Sequence, residues 1–214
     1  VYDESTQKVL LSDAIPFPGA KINDGIRFSV SLSEIQKCIC HIFKKGKHYC
    51  CNKAFFSVQM HGFILHSSSD GFSDYVSWRD SSGNIEDPRF NNIDFNQMGT
   101  SLKSNLPLVK LAFQNCEGEF FTLGSYIAWW LTGSNATHIS DACASGFFFS
   151  DTGKRNEHAP GLKMPSVYMQ VTPIGSYEGI SIYTPIGDQQ VSFLGSRATS
   201  EQYLLNIGTA TQIA

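Results

Sequence analysis

The strongest constraint on the fold lies in residues 180–194. A β-type run, Ile180–Tyr183, passes through Ile186-Gly187-Asp188-Gln189-Gln190 into a helical run containing Val191 and Leu194. A strand that feeds a helix in this way belongs to a sheet covered by helices, and such sheets bind ligands beyond the carboxyl ends of their strands. Asp188 has two readings at this junction. It can cap the helix by accepting a bond from an orphan amide, or it can present a carboxylate to a ligand.

The rest of the chain mixes both periodicities. Residues 2–17 read as a strand pair around the polar turn Ser5-Thr6-Gln7. A helix starts near Ser31, where Ser31 and Glu34 have capping-box spacing and Val30 can pack on Ile35. Ile35, Cys38, Ile39 and Ile42 then recur at helical spacing as one buried face. Residues 55–59, 62–66 and 76–78 read as strands, and 80–96, rich in Asp, Asn, Ser and Gly, as loop. Residues 106–133 look helical, with Leu123, Ile127, Trp130 and Leu131 as a stripe and Gly133 as the stop. A further helix is expected from Thr137 to Ser145, and a strand over 203–207 that runs into Gly208-Thr209-Ala210-Thr211. The pattern is α/β or α+β.

Composition narrows the function. A chain of 214 residues, 42% of them apolar and 16 of them Phe, can build a core without staples. Its formal charge of -3 offers nucleic acid no electrostatic handle. No apolar run reaches the roughly 18 residues of a membrane span, and the polar start has no signal-peptide zones. Six cysteines are too few for a disulfide scaffold, which points to free thiols and a cytoplasmic setting. Cys38, Cys40, His41, His48, Cys50 and Cys51 cluster, but their spacing matches no zinc knuckle, so no metal site is assigned.

Several polar groups fall at strand ends. Gln59-Met60-His61-Gly62 places an amide and an imidazole side by side, with Gly62 leaving room for close approach. Trp78 and Asp80 put an aromatic platform beside an acceptor, a pairing useful against a sugar; a core Trp followed by a turn Asp is the other reading. Asn206-Ile207-Gly208-Thr209 can aim backbone amides and a hydroxyl at a phosphate, or it can be an ordinary hairpin. Walker, dinucleotide-fold, zincin and Gly-x-Ser-x-Gly motifs are absent.

The order of these segments resembles the FGGY carbohydrate kinases, in particular their pentulose and heptulose branch, sedoheptulokinase and xylulokinase included. Gln59-Met60-His61-Gly62, Trp78-Arg79-Asp80, Trp130-Leu131-Thr132-Gly133, Ser140-Asp141-Ala142, Gly187-Asp188-Gln189-Gln190 and Asn206-Ile207-Gly208-Thr209 follow one another as in that family. The resemblance implies a ribonuclease H-like, actin-type first domain. It implies that Asp188 is the general base, that Met60, His61 and Gln189 line the sugar pocket, and that Trp78 and Asp80 lie nearby. It further implies that Gly208 and Thr209 approach the transferring phosphate of ATP, which is used with Mg2+.

Two departures accompany the resemblance. The family's opening strand with its Asp-x-Gly-Thr-Thr phosphate loop has no counterpart here, and the sequence stops before the family's second, adenine-binding domain. Residues 1–214 are therefore expected to be an incomplete sugar-binding domain, inactive alone and exposing apolar surface through which it could pair as a homodimer. Trp78-Arg79-Asp80-Ser81-Ser82 also lacks the Arg often found two residues after the family's Asp. The alternative is a non-catalytic sugar sensor, or degenerate kinase, that kept the pocket and lost the nucleotide machinery.

Overall fold

The computed structural model describes residues 1–114, 116–158 and 161–197, and the short strands Leu205–Ile207 and Thr211–Ile213. Five α-helices are described: α1 (Leu32–His48), α2 (Pro107–Leu111), α3 (Leu123–Thr132), α4 (Ile139–Cys143) and α5 (Asp188–Ser196). Among the described residues no helix is long and apolar enough to cross a membrane.

Helix α1 begins after Ser31, as its spacing predicts, but the capping box does not form. The Ser31 hydroxyl pairs with Ser33 Oγ and caps no amide. Its buried stripe is Ile35, Ile39 and Phe43, and Ile42 is 57% exposed. Spacing by four from Ile35 selects Phe43, while Ile42 falls on the neighbouring, solvent-facing row. Lys45, Lys47 and His48 occupy the last turn, where positive charge suits the carbonyl end.

The long helix expected over 106–133 is instead two helices separated by a strand, Glu119–Phe121. Gly118 makes the break. Its φ is +120°, and a Cβ there would lie 2.1 Å from the His66 carbonyl oxygen. That close approach lets Glu119–Phe121 pair antiparallel with Ile64–Ser67. Thr122 then starts α3 with a reciprocal cap: its hydroxyl accepts from the Ser125 amide, and its own amide donates to Ser125 Oγ.

Two cores flank this strand pair, because side chains alternate across a sheet. Ile64 and Phe121, opposite each other, join the cluster with α1 and α3. Phe63 and Phe120 point the other way, into a cluster with Phe90, Leu108 and Phe147. Both faces are therefore buried at Phe63–Ile64 and Phe120–Phe121.

A parallel layer carries the site. Lys53–Ala54 pairs with Ile180–Tyr183, and Ser57–Val58 pairs with Ile186–Gly187. Ala136–His138 runs parallel to Ser166–Tyr168, and the His138 amide donates to the Pro185 carbonyl, 3.0 Å away, which ties that strand to the same layer.

Candidate active site

Val58 and Gly187 are register partners on parallel strands, so the two chains leave the sheet at the same end. One continues as Gln59-Met60-His61-Gly62, the other as α5. Gly187 is the N-cap residue of α5, and Asp188 is its first helical residue. Asp188 is not the N-cap residue, but its carboxylate accepts from the Gln189 amide at 2.9 Å, one of the orphan amides of the first turn. It faces solvent on one side and protein on the other. The protein side, by desolvation, raises its pKa above the usual carboxylate value, against the pull of the backbone amides.

Both exits pass close to other side chains. A Cβ on Gly187 would stand 2.6 Å from Met60 Sδ and from Gln190 Oε1. One on Gly62 would stand 2.3 Å from the Tyr75 ring, which is wholly buried. The Gly187 amide donates to Ser140 Oγ at 3.1 Å, so the start of α4 is clamped to the start of α5.

Beneath this junction lies Asp141, a carboxyl 2% exposed. Thr122 and Thr137 donate their hydroxyls to its Oδ2 at 2.5 and 2.6 Å. Thr137 Oγ1 is also 3.2 Å from the Pro185 carbonyl oxygen, three residues before Asp188. Burial pushes the Asp141 pKa up to about 6, the two hydroxyls pull it down, and the charge of Asp188 adds to the rise. The two carboxylates thus repel each other's charge across the strand end.

His61 has a φ of +63° and turns its ring onto α4, with Nδ1 2.8 Å from the Ala144 carbonyl oxygen. A carbonyl only accepts, so Nδ1 carries the proton. Burial lowers the pKa of the ring, the Ala144 carbonyl opposes this, and the nearby Lys103 charge lowers it further. The imidazole is therefore neutral at pH 7, and Nε2 is left as an acceptor for a ligand hydroxyl.

A cleft of about 500 Å³ opens at these strand ends. Met60, His61, Gln189 and Gln190 form one wall; Ser140, Cys143 and Ala144 of α4 form another. The loop bearing Gly99, Thr100, Ser101 and Lys103 closes the third side. Of the residues expected here, Met60, His61 and Gln189 come together, and Asp188 adjoins them in the chain without lining the cleft.

Trp78 and Asp80 lie elsewhere. Asp80 Oδ1 is 2.7 Å from Lys110 Nζ, both side chains being 7% exposed, and its oxygens also accept from the Phe28 amide and the Ser82 hydroxyl. The Trp78 carbonyl accepts from the Asn105 side chain. Neither residue lines the cleft; Lys110 and the strand Phe28–Val30 hold this turn. Gly208 and Thr209 fall outside the described residues. Sequence reasoning missed Thr100, Lys103, Ser140, Gln190 and Asp141 as site residues. Ser140, Asp141 and Gln190 stand inside the quoted motifs, but Thr100 and Lys103 carry no local signal.

No family model and no curated protein matches the sequence. Solved structures do match its shape. A ligand-bound xylulose kinase from Lactobacillus acidophilus has a TM-score of 0.81 at 18% identity, over 99% of this chain and 50% of that one. The chain has the fold of carbohydrate kinases. A gluconate kinase from Lactobacillus acidophilus follows with a TM-score of 0.80 at 18% identity, and a Plasmodium falciparum glycerol kinase with ADP with 0.81 at 15%. Each is covered over 50% of its length and covers 99% of this chain, so the chain spans about half the length of these kinases. At such identities the likeness is one of fold. It agrees with the FGGY resemblance read from the motifs.

Proposed function

We propose that this chain is the sugar-binding half of an ATP-dependent carbohydrate kinase, a ribonuclease H-like, actin-type domain. The observation that carries the reading is that two register-paired parallel strands deliver Met60-His61 and, next to Asp188 in the chain, Gln189 to the lining of one cleft. A sugar hydroxyl presented there attacks the γ-phosphorus of ATP. A bond forms between the sugar oxygen and phosphorus, the bond to the β-γ bridging oxygen breaks, and ADP leaves. Asp188 takes the hydroxyl proton; its raised pKa makes it a stronger base than a free carboxylate.

Around that step the other groups position the substrate. Neutral His61 accepts a sugar hydroxyl at Nε2, Gln189 adds an amide, and Met60 packs beneath the carbon chain. The motif order favours a ketose such as sedoheptulose or xylulose as the acceptor. Gly208 and Thr209 are the residues assigned to the ATP phosphates. Mg2+ keeps several waters and takes one or two carboxylates plus phosphate oxygens. Among the described residues no three candidate ligands group together, so these residues build no cation cage of their own.

The test is ADP release with a panel of ketoses, aldonates and glycerol, run on this chain and on the product of its full reading frame. Sugar-dependent release by the full product supports the kinase. Silence with every sugar, while sugars still protect the chain against heat, would move the assignment to the non-catalytic sugar sensor.

A further inference from the structure

Thr137 has one hydroxyl proton and two acceptors for it. Its fully buried Oγ1 lies 2.6 Å from Asp141 Oδ2 and 3.2 Å from the Pro185 carbonyl oxygen. A hydroxyl donates only once. Both contacts become hydrogen bonds when the carboxyl carries a proton, donates it to Thr137 Oγ1 and so frees the Thr137 hydroxyl for Pro185. The Pro185 carbonyl already accepts the His138 amide at 3.0 Å and has a second lone pair for this bond.

Asp141 is placed for that exchange. Thr122 and Thr137 both meet the same oxygen, Oδ2. A Cβ on Gly124 would stand 2.9 Å from Oδ2, 2.7 Å from Pro185 Cβ and 3.1 Å from Val58 Cγ2. The bare Gly124 thus lets the carboxyl, Pro185 and Val58 meet under the two strand ends. From α5 the charge of Asp188 acts on Asp141. From the strand Tyr75–Val76 comes Tyr75, whose phenol is kept protonated by burial and by the charges of Asp141 and Asp188. The other neighbours, Gly124, Val58 and Pro185, are uncharged. Burial raises the Asp141 pKa to about 6, so the carboxyl takes up and loses its proton within an ordinary working range.

We infer that Asp141 is a positioning residue for Asp188 and acts through Thr137. Protonated Asp141 donates to Thr137 Oγ1, and the Thr137 hydroxyl ties down the Pro185 carbonyl, three residues before Asp188. When the carboxyl ionises, the Thr137 proton turns back to Oδ2, and Pro185 keeps only the His138 amide. Thr122 donates to Oδ2 in both states. The positioning role rests on the reading of Asp188 as the base of a sugar kinase; the exchange of hydrogen bonds does not.

The test has two arms. Carbon-13 NMR of the Pro185 carbonyl in this chain follows the exchange from about pH 5 to about pH 8. The resonance should titrate with a midpoint near pH 6 and stay fixed in Asp141→Asn, whose amide does not ionise. ADP release by the full reading-frame product follows the positioning, with thermal melts to show that each variant is folded. Thr137→Val should lower kcat about tenfold near pH 5.5, the worth of roughly one hydrogen bond, with KM little changed. The loss should shrink near pH 8, where the wild type has already given up the Pro185 bond, and Thr137→Ser should restore turnover. If Thr137→Val does not fold, Asp141→Asn takes its place: its turnover relative to wild type should change on passing through pH 6. A wild-type resonance that does not titrate, or one that titrates unchanged in Asp141→Asn, would overturn the exchange. A titrating resonance with turnover ratios independent of pH would overturn the positioning role and leave the kinase standing. No ADP release by the wild type with any sugar would remove the kinase and the positioning role together.

Discussion

Val58 and Gly187 stand opposite each other on parallel strands, and the segments bearing Met60, His61 and Asp188 leave the sheet from that pair. Two residues after Val58 comes Met60, and one after Gly187 comes Asp188. The absence of a side chain on Gly187 lets Met60 Sδ and Gln190 Oε1 approach the α5 terminus.

Gly187→Ala and Gly62→Ala should therefore fail differently. The new methyl at 187 meets two flexible side-chain ends, which can swing away and deform the cleft. Polyol affinity should drop several-fold with little change in melting temperature. The methyl at 62 meets the buried Tyr75 ring at 2.3 Å, which cannot move without disturbing the α1–α3 core. That variant should lose roughly 1–3 kcal/mol of stability. Thermal melts beside calorimetry on both proteins separate the two effects.

The buried Asp141 makes stability depend on pH in an unusual direction. Burial raises its folded pKa to about 6, above the usual aspartate value of about 3.9, so the native state holds the proton more tightly than the unfolded chain. The native state is favoured most below pH 4, and this contribution is lost as pH rises through 6. The penalty at pH 7 is on the order of 2–3 kcal/mol. His61 works in the opposite sense, since its lowered pKa favours the native state above pH 6.5. The difference between wild type and Asp141→Asn isolates the carboxyl: urea unfolding at pH 5 and pH 7.5 should show the variant gaining relative stability at the higher pH. A gap that does not change with pH would contradict the account.

Asp80 and Lys110 form a buried pair that braces the turn after Trp78. Removing either partner leaves a buried charge and should cost about 3–5 kcal/mol. Asp80→Ala should accordingly lower the melting temperature while the folded fraction keeps its polyol affinity. A large loss of affinity at unchanged stability would return Asp80 to the sugar site.

How far these features are legible in the sequence follows from range. The start of α1 at Ser31, the strand Ile180–Tyr183 and the opening of α5 rest on local signals, and local signals suffice for them. The strand Glu119–Phe121 does not, because it exists through pairing with Ile64–Ser67 more than fifty residues away, and helical periodicity in 106–133 hides it. Ile42 fails for a smaller reason: a one-residue choice of helix row decides between core and solvent, and Phe43 fills the core row. Met60, His61 and Gln189 are readable because their motif order resembles a family. Lys103 and Thr100 are not, since a polar loop acquires meaning only when the fold lays it over His61. The tie between Asp80 and Lys110 is likewise a contact of the fold, invisible to spacing.

The most direct measurement of the central claim is sugar-dependent ADP release by the full reading-frame product and its Asp188→Asn variant, with thermal melts alongside. The account predicts that the variant loses roughly 10² to 10⁴-fold in turnover, the contribution of a positioned base, and melts no lower than wild type because a partly desolvated charge has been removed. Undiminished turnover in a folded Asp188→Asn protein would contradict the assignment of Asp188 as the base.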